Sequence, residues 1–501
     1  MAGAVRALVA LAMVAAQTEA FPAQAAARSW HLTRSPLVAR RVRLSDAGAL
    51  PLTPSSPLGQ SSPSAPPPSA PAAPSVPRIM PAEALPSFSS ALALPVLSRA
   101  IAALIHTIAL ATAWTLAAAG RRERWRLLPC IALASLVGGG LDLAMRRLFR
   151  LAARQAQLLD PRELATRDSR FLSVDDVSVH FLQRLPAPKP STPPRAVRTV
   201  AHLNHGFGAS SLSWLDVLGP LADALGALTL AHDRLGFGLS ARPAAASSYR
   251  AAEQGALAQR LVAAVAVERG VEGAPRVLIG HSLGAQLSLD QALDAPSRCA
   301  ALVLVAPALT SRFERARSSK QAVAASVGPV SSALALVVST ARGAALRALR
   351  PLFLLALRSA VYSARFWARG LGAAWGDRSR ITDATLGRYR RPSLAKGWDV
   401  GLLCFAQAMA AVRDGGDSTR TTASQIALLR KLDVPVLIVH GSKDRVTPIA
   451  GSRRLAEALG PNATLVELDG CGHVPHEETP ERFLAALLPW LRERAGLQVG
   501  A

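Results

Sequence analysis

The sequence contains little cysteine, little tyrosine and few acidic residues. Only 4 of its 501 residues are cysteine and 3 are tyrosine, while 33 acidic residues face 57 lysines and arginines. The cysteines are widely spaced and form no C-x-x-C pair, which argues against a disulfide framework and a zinc site. We interpret them as buried thiols; they are Cys130, Cys299, Cys404 and Cys471.

The excess of basic residues gives a formal net charge of +24. Such a charge is typical of nucleic-acid-binding proteins, but here the arginines are scattered through apolar stretches. No zinc-finger, RNP-type or basic-zipper pattern accompanies them, so we expect no nucleic-acid partner. Attraction to an anionic membrane surface accounts better for the charge. Half of the residues are hydrophobic, which is enough for a large buried core.

The first fifty residues have the composition of a targeting leader. Residues 1–20 hold one early arginine, an apolar run and small residues before Phe21, as in a secretory signal peptide. From Phe21 to Arg43 the chain is rich in arginine and lacks acids, so we assign 21–50 as a transit-like basic segment. This order is similar to the two-part targeting sequence of algae with secondary plastids and predicts a plastid protein. The alternative is a secreted or endomembrane protein with a basic linker.

A membrane anchor is predicted over residues 91–150, after a linker rich in proline, serine and alanine over 51–90. Residues 100–120 carry no formal charge and, at about 20 residues, are long enough to cross a bilayer as a helix. The run 127–145 is weaker because it contains three consecutive glycines and Asp142. We therefore predict one span, with a second run that can form a return helix. The alternative is a helical hairpin packed on the globular domain.

Residues 160–310 and 421–495 alternate short apolar runs with helical patterns, which predicts an α/β fold. The stretch "SVDDVSVHFLQRL" has the two-residue alternation of an antiparallel strand pair. The stretches "VRTVAHLNHGFG", "ALTLAHDRLGFG", "RVLIGHSLG", "ALVLVAPAL" and "VPVLIVHGSKD" are short apolar runs that end in turn signals, as buried parallel strands do. In an open parallel sheet the ligand site lies at the carboxyl ends of the strands, so the residues after these runs are the candidates for chemistry.

The run "VLIGHSLGAQ" places Ser282 between two glycines directly after an apolar strand. It fits the pattern G-x-S-x-G, in which small flanking residues let the backbone turn sharply and expose the serine hydroxyl. The serine is either a catalytic nucleophile or only a small residue in a tight turn. The pattern alone leaves both interpretations open.

Three other strand ends carry candidate chemistry. The sequence "HGFG" at residues 205–208 is a glycine-flanked turn that can aim a backbone N–H at the same edge of the sheet. Asp444 follows another strand in "HGSKDRVTP". His473 follows one more short strand in "LVELDGCGHVPHEETPERF". The chain order of the candidates is serine, aspartate, histidine.

These motifs together resemble the α/β-hydrolase superfamily, in its cap-bearing branch with the motifs HG-F-G and G-H-S-x-G. That branch includes carboxylesterases, lipases and carbon–carbon bond hydrolases, and the resemblance covers about residues 168–310 and 421–495. It implies an α/β-hydrolase fold, which is a mostly parallel sheet with flanking helices, and a helical cap insertion. It also implies that no metal and no cofactor takes part.

The resemblance assigns a role to each motif residue. Ser282 is the nucleophile, His473 is the base that activates it, and Asp444 fixes the imidazole tautomer. The backbone N–H groups of Phe207 and Leu283 form the oxyanion hole. The residues interpreted as the scaffold of the motif turns are His205, Gly206, Gly208, Gly280, His281 and Gly284.

Five other polar residues near the motifs receive lesser roles. Asp433 precedes its strand and so lies at the wrong end of the sheet for catalysis. We expect His476 at the surface or in support of the base. Glu477 and Glu478 either interact near the active-site rim or lie at a solvated helix start, and we favour the second interpretation. Asp233, in the turn "DRLGFGLSARP", is expected to be structural.

Residues 311–420 consist of long apolar and basic runs. They follow the strand that comes after the nucleophile helix, and this is the position at which the family resembled here carries its lid. Pro351 interrupts the longest run, so this run is not a single spanning helix. The spacing of Arg358, Arg365 and Arg369 places them on one helix face. The lid either lies on a membrane over a lipophilic substrate or is a packed helical cap with solvated arginines.

The sequence therefore predicts a membrane-associated serine hydrolase that cleaves an ester of a lipophilic small molecule, such as an acyl lipid or an esterified pigment. Membrane lipid is the expected partner besides the substrate. The alternatives are a carbon–carbon bond hydrolase with the same triad and a non-catalytic accessory protein that keeps the fold. The sequence gives no prediction of the oligomeric state.

Overall fold

The computed structural model describes residues 41–44, 150–188, 197–309, 350–413 and 422–499, together with five single residues between 114 and 148. The chain divides into two compact units, Asp46–Gln157 and the remainder. In the smaller unit, residues 150–156 are helical. The predicted signal peptide and linker, and nearly all of the predicted membrane anchor, lie outside the described residues. Within the described ranges, no helix has the length and apolarity needed to cross a membrane.

The larger unit is built on one sheet. Its strands are β1 (Arg41–Leu44), β2 (Ser169–Val174), β3 (Val177–Arg184), β4 (Thr199–Asn204), β5 (Ala227–His232), β6 (Arg276–His281), β7 (Cys299–Val305), β8 (Val436–Gly441) and β9 (Ala463–Leu468). Their order across the sheet is β1-β9-β8-β7-β6-β4-β5-β3-β2. β3 pairs antiparallel with β2 and with β5, and every other described pairing is parallel. The mostly parallel sheet predicted from the apolar runs is therefore confirmed.

Helices flank this sheet. They are α1 (Leu215–Leu225), α2 (Ala251–Glu268), α3 (Gly284–Asp294), α4 (Arg350–Val361), α5 (Ala364–Ala374), α6 (Asp383–Arg390), α7 (Trp398–Arg413), α8 (Thr422–Lys431), α9 (Ile449–Leu459), α10 (Pro475–Glu478) and α11 (Pro480–Ala495). Short 3-10 turns occupy Pro161–Leu164, Ser211–Trp214, Ala246–Tyr249, Pro296–Arg298, Arg378–Arg380, Arg391–Leu394 and Gly460–Asn462. Helices α4 to α7 come between β7 and β8 and form the described part of the predicted cap.

A two-residue turn joins β2 to β3. Asp175 and Asp176 occupy it with φ of +49° and +60°. Two consecutive residues at positive φ match the twist of the flanking strands, and aspartate tolerates this region better than most residues. The antiparallel pair predicted from the alternating pattern is confirmed by the register of the two strands.

Both faces of the sheet are buried, because consecutive strand residues face two different cores. On one face Val303 belongs to a cluster with Trp214 and Phe483. On the other face the neighbouring Leu302 belongs to a cluster with Leu289 of α3 and Leu455 of α9. A strand covered on both sides is apolar without alternation, which explains the continuous runs seen in the sequence.

The parallel strands end together at one edge of the sheet. Asn204, the last residue of β4, lies opposite both His232 of β5 and Gly280 of β6. Gly441 at the end of β8 lies opposite Leu468 at the end of β9. The turns that follow these strands therefore emerge at the same edge, where an open parallel sheet places its ligands.

The prediction that three cap arginines share one helix face is wrong. Arg358 lies on α4, whereas Arg365 and Arg369 lie on α5, because the helix is interrupted at residues 362–363. Arg358 donates from Nε to Oδ2 of the buried Asp399 over 2.6 Å. Arg365 and Arg369 are exposed. The spacing that suggested a common face does not continue across the break.

Candidate active site

Ser282 lies in a sharp turn between β6, which ends at His281, and α3, which begins at Gly284. Its φ is +51°, in the left-handed region that non-glycine residues rarely adopt. Its backbone N–H donates to the carbonyl oxygen of Val305 on the neighbouring strand over 2.9 Å. The sheet thus holds the serine in a strained conformation at the carboxyl end of the central strands, as the G-x-S-x-G pattern predicts.

Glycines allow the "HGFG" turn to pack directly against this serine. A Cβ at Gly206 would lie 2.8 Å from Nδ1 of His281 and 3.1 Å from Cβ of Ser282. A Cβ at Gly284 would lie 2.6 Å from the carbonyl oxygen of His205. The structure therefore brings the two predicted motif turns together; Gly208 has a φ of +74° and Gly280 lies within β6.

Phe207 and Leu283, the predicted oxyanion-hole residues, flank this contact. Leu283 directly precedes α3, so its N–H lies at the positive end of the helix dipole. The half-buried ring of Phe207 packs beside the rings of Phe237 and Phe405, with centroids 5.7 and 5.9 Å away. Phe405 belongs to α7, so the cap covers the predicted oxyanion turn with an aromatic cluster.

His473 and Asp444 form a hydrogen-bonded pair at the same edge of the sheet. Nδ1 of His473 lies 2.8 Å from Oδ2 of Asp444. Because a carboxylate only accepts, Nδ1 carries a proton, and in the neutral ring the lone pair then lies on Nε2. The side chains of both residues are more than nine-tenths buried. This is the tautomer that a general base needs.

Asp444 is surrounded by donors. Its Oδ1 accepts from the N–H groups of Val446 and Thr447 over 2.7 and 2.9 Å. Its Oδ2 accepts from the Thr447 hydroxyl over 2.9 Å and lies 3.0 Å from Nε2 of His440. Burial opposes ionisation, but His473 and the hydrogen bonds from His440 and His473 hold the pKa of Asp444 well below its usual value. The carboxylate therefore stays charged.

His440 and Thr447 are functional candidates that the sequence did not reveal. Nδ1 of His440 lies 2.7 Å from the Ser452 hydroxyl, so this buried ring is held from both sides. His440 lies near the end of β8, four residues before Asp444, and that position at a strand end was the available signal. Nothing in the sequence shows that Thr447 turns back onto the carboxylate.

The scaffold histidines are buried and neutral. His205 donates from Nδ1 to the carbonyl oxygen of Gly206 over 2.8 Å, and its Nε2 accepts from the N–H of Arg234 over 3.1 Å. Burial lowers the pKa of His205 to about 4. Burial also lowers the pKa of His281 well below its usual value. These two rings brace the motif turns by hydrogen bonds.

Asp233, directly after β5, supports the same edge of the sheet. Its carboxylate accepts from the N–H groups of Ser211 and Leu239 over 2.6 and 2.7 Å, and lies 2.7 Å from Nδ1 of His180. Gly238, at a φ of +52°, packs so closely on this carboxylate that a Cβ there would clash. The geometry suits the structural role expected for Asp233.

The expectations for the residues after His473 need correction. His476 is fully buried, which excludes the surface position and leaves the supporting one. Its ring stacks on Trp214 with centroids 4.0 Å apart and lies 4.7 Å from the His281 ring. Burial lowers the pKa of His476 to about 3. Glu477 and Glu478 are not solvated, because both side chains face the cap and are buried. Asp433 is exposed before β8, as expected.

The site is closed. Ser282 is 8% exposed and His473 6% exposed. A cavity of about 20 Å³ lies beside Leu283, lined in part by Arg234, Gln286 and Met409, and is large enough for a water molecule; neither Ser282 nor His473 lines it. Within the described ranges, no three His, Cys, Asp or Glu side chains are grouped as metal ligands.

Comparison with known proteins agrees with this architecture. The Alpha/beta hydrolase family matches residues 202–486. An uncharacterized protein of Mycobacterium tuberculosis is 28% identical over 287 residues, 56% of this chain and 72% of that protein. A 2-hydroxymuconate semialdehyde hydrolase of Pseudomonas putida is 27% identical over 302 residues, 59% of this chain and 88% of that protein. The crystal structure of a bacterial membrane phospholipase A, at 21% identity and a TM-score of 0.44, covers 73% of this chain and 97% of its own. The family match spans more than half of the chain, which therefore belongs to the alpha/beta hydrolases.

Proposed function

We propose that this hydrolase cleaves an ester bond by nucleophilic catalysis, with Ser282 as nucleophile, His473 as base and Asp444 as the acid that orients the base. The observation that carries the proposal is the pairing of a strained serine turn with a histidine whose Nδ1 is hydrogen-bonded to a buried carboxylate over 2.8 Å. A serine hydroxyl is a weak nucleophile near neutral pH and needs such a base.

The reaction follows from these positions. As Oγ of Ser282 attacks the ester carbonyl, its proton passes to Nε2 of His473, and Asp444 stabilises the imidazolium. The N–H groups of Phe207 and Leu283 stabilise the oxyanion, at about 3 kcal/mol per donor. The imidazolium then protonates the leaving alcohol, which leaves an acyl-enzyme. Water attacks this acyl group with the same base, releases the acid and restores the serine.

A lipophilic substrate is supported by the aromatic cluster of Phe207, Phe237 and Phe405 next to the oxyanion turn. The apolar surface of this cluster would stabilise an acyl chain packed against it by about 25 cal/mol per Å² buried. We propose an acyl lipid or an esterified pigment as the substrate. Esters of graded chain length test this, and kcat/KM should rise with chain length.

Active-site labelling tests the assignment of Ser282. A fluorophosphonate probe should label the full chain and Ser247→Ala, which changes an exposed serine, while Ser282→Ala should lose labelling and keep its melting temperature. Equal labelling of Ser282→Ala would contradict the nucleophile. Neither labelling nor turnover by the unchanged chain would favour a non-catalytic accessory protein.

A carbon–carbon bond hydrolase is the second candidate, because the relative named 2-hydroxymuconate semialdehyde hydrolase matches along 88% of its length. The same serine and histidine would serve that reaction. Turnover of 2-hydroxymuconate semialdehyde, followed by its absorbance, separates the two functions. Greater kcat/KM for this compound than for every ester of the panel would favour the second candidate.

We further propose that the protein acts at a plastid membrane. This proposal is based only on the composition of the leader and on the uncharged run of residues 100–120. Carbonate and high salt should leave the full chain in the membrane fraction, because screening charge does not release an apolar span. Residues 1–50 fused to a fluorescent protein should enter the plastid, and Phe21→Ala should hold the fusion in an outer compartment. Secretion of the unchanged fusion would favour the endomembrane alternative.

A further inference from the structure

We propose that Glu478 is a positioning residue for His473, and that the cap segment Ala374–Asp377 belongs to the support of this base rather than to a movable lid. The proposal rests on the proposed function, since it concerns the base of that reaction. It is carried by one buried carboxylate that binds the histidine loop and the cap at the same time.

The carboxylate of Glu478 accepts peptide hydrogen bonds from both sides. The N–H of Gly472, the residue before His473, donates to Oε2 over 2.7 Å. From the cap, the N–H of Gly376 donates to Oε2 over 3.0 Å and that of Asp377 donates to Oε1 over 2.8 Å. Glu478 is 4% exposed, so its carboxylate has lost its contact with water. The three peptide hydrogen bonds replace this hydration.

The cap also contacts the base directly. The backbone N–H of His473 donates to the carbonyl oxygen of Ala374 at the end of α5, over 2.6 Å. A Cβ at Gly472 would clash with this carbonyl, and a Cβ at Gly376 would clash with the carbonyl of Gly470. The backbone of the histidine loop therefore packs directly against the backbone of the cap segment Ala374–Asp377, with no room for side chains between them. Glu478 binds both segments.

A second connection holds the next cap helix to the same region. The hydroxyl of Tyr389 on α6 donates to Oε1 of Glu477 over 2.6 Å. Arg388 donates to the carboxylate of Asp216 on α1 from both terminal guanidinium nitrogens, Nη2 at 2.9 Å. The adjacent glutamates that follow the base thus each bind the cap, which anchors the region from the end of α5 to α6.

This arrangement makes a prediction that differs from that of a simple lid. A lid that only admits substrate changes KM and chain-length preference. A cap segment that holds the base in place changes kcat even for small soluble esters, because a small displacement of Nε2 weakens proton transfer. The same segment cannot move away during substrate entry without disturbing the base.

The test compares Glu478→Gln with Glu481→Gln, an exposed glutamate three residues further along the chain. The amide puts an N–H2 group where peptide N–H donors converge, so at least one of these hydrogen bonds is lost. For a short soluble ester we expect Glu478→Gln to lower kcat at least tenfold, with KM changed less than threefold, and Glu481→Gln to change neither. Turnover is expressed per fluorophosphonate-labelled Ser282, so any unfolded fraction drops out. Glu478→Asp, which keeps the charge on a shorter side chain, should fall between them.

Proton NMR of the His473 Nδ1–H, hydrogen-bonded to Asp444, provides a readout that does not need activity. We expect this resonance to shift or broaden in Glu478→Gln and to stay unchanged in Glu481→Gln. Unchanged resonance and kcat in Glu478→Gln would overturn the proposal, as would a loss confined to KM. If the unchanged chain does not label but the resonance moves, the proposed function fails while the positioning role stands.

Discussion

Nε2 of His281 donates a hydrogen bond to the backbone carbonyl oxygen of His473 over 2.9 Å. The residue before the proposed nucleophile therefore holds the backbone of the proposed base. With the N–H of His473 bound to Ala374, the peptide groups on both sides of this residue are fixed. The serine turn and the histidine loop are joined by a contact between chain positions that lie far apart.

This contact predicts unequal effects for two substitutions of His281. Leucine removes the donor and leaves the carbonyl oxygen of His473 unsatisfied, which costs about 1–3 kcal/mol of stability. The loop that carries the base is then less firmly held, and because a misplaced base slows proton transfer we expect kcat to fall about 10- to 100-fold. Glutamine keeps an N–H donor, and its loss should be clearly smaller. Steady-state kinetics on a soluble ester, with melting temperatures as a control for folding, measure the difference. Equal losses would show that the hydrogen bond is not what matters at this position.

Replacing the carboxylate of Asp444 with an amide should impair the base without removing it. In Asp444→Asn the amide can donate toward Nδ1 of His473 and favour the wrong tautomer, so we expect kcat to fall by about 10⁴-fold. Asp433→Asn, at the exposed aspartate before β8, is the matched control and should be unchanged. Activity of Asp444→Asn within tenfold of the control would exclude Asp444 as the orienting acid.

Glu477 predicts a loss of stability toward alkaline pH. Burial raises its pKa to about 8 from 4.5, although Tyr389 and Arg388 favour the charged form. Between these values the unfolded chain is ionised and the folded chain is not, so the free energy of unfolding falls as pH rises, by up to about 1.4 kcal/mol per pH unit. Glu477→Gln removes this titration. Urea unfolding should show that the free energy of unfolding of the variant increases relative to that of the unchanged protein from pH 5 to pH 8. A difference in free energy that stays constant over this range would contradict the raised pKa.

His202 and His232 predict the opposite dependence at acid pH. They lie at the centre of the sheet with Nε2 and Nδ1 2.9 Å apart. Burial and the charge of Arg276 lower the pKa of His202 to about 3, and burial lowers that of His232 as well. Below about pH 6.5 the unfolded chain takes up protons that the folded chain does not, so stability falls as pH drops toward 3. In urea unfolding at pH 8 we expect His202→Gln to have a lower free energy of unfolding than the unchanged protein, and this difference should be smaller at pH 5. An equal difference at the two pH values would refute the lowered pKa.

Much of the fold could be predicted because the signals are local. The continuous apolar runs, the turn residues after them and the alternation before residue 184 each depend on neighbours within a few positions. The same holds for Ser282, whose flanking glycines mark a sharp turn directly after β6. His473 and Asp444 could be proposed because the order of the strand ends is visible in the chain.

The errors concern contacts across long separations. From the sequence, Glu478 resembles a residue at a solvated helix start. In the structure its carboxylate accepts hydrogen bonds from the N–H groups of Gly376 and Asp377, which lie about a hundred residues earlier in the chain. Arg358 is separated from Arg365 by a helix break and takes Asp399 as its partner, which periodicity cannot show. The roles of His440 and Thr447 likewise depend on how a loop folds back on Asp444.

The burial of Ser282 and His473 has a kinetic consequence. Because these side chains are only 8% and 6% exposed, we expect each catalytic cycle to include an opening movement before acylation and another for release of the acid. Such movements take microseconds to milliseconds and often limit turnover. With Ala374–Asp377 tied to the base, the movement falls to other parts of the cap. Added solvent viscosity would then lower the turnover of good substrates. Between openings, the acyl group on Ser282 would be transferred to the small acceptor enclosed with it, either water or a short alcohol.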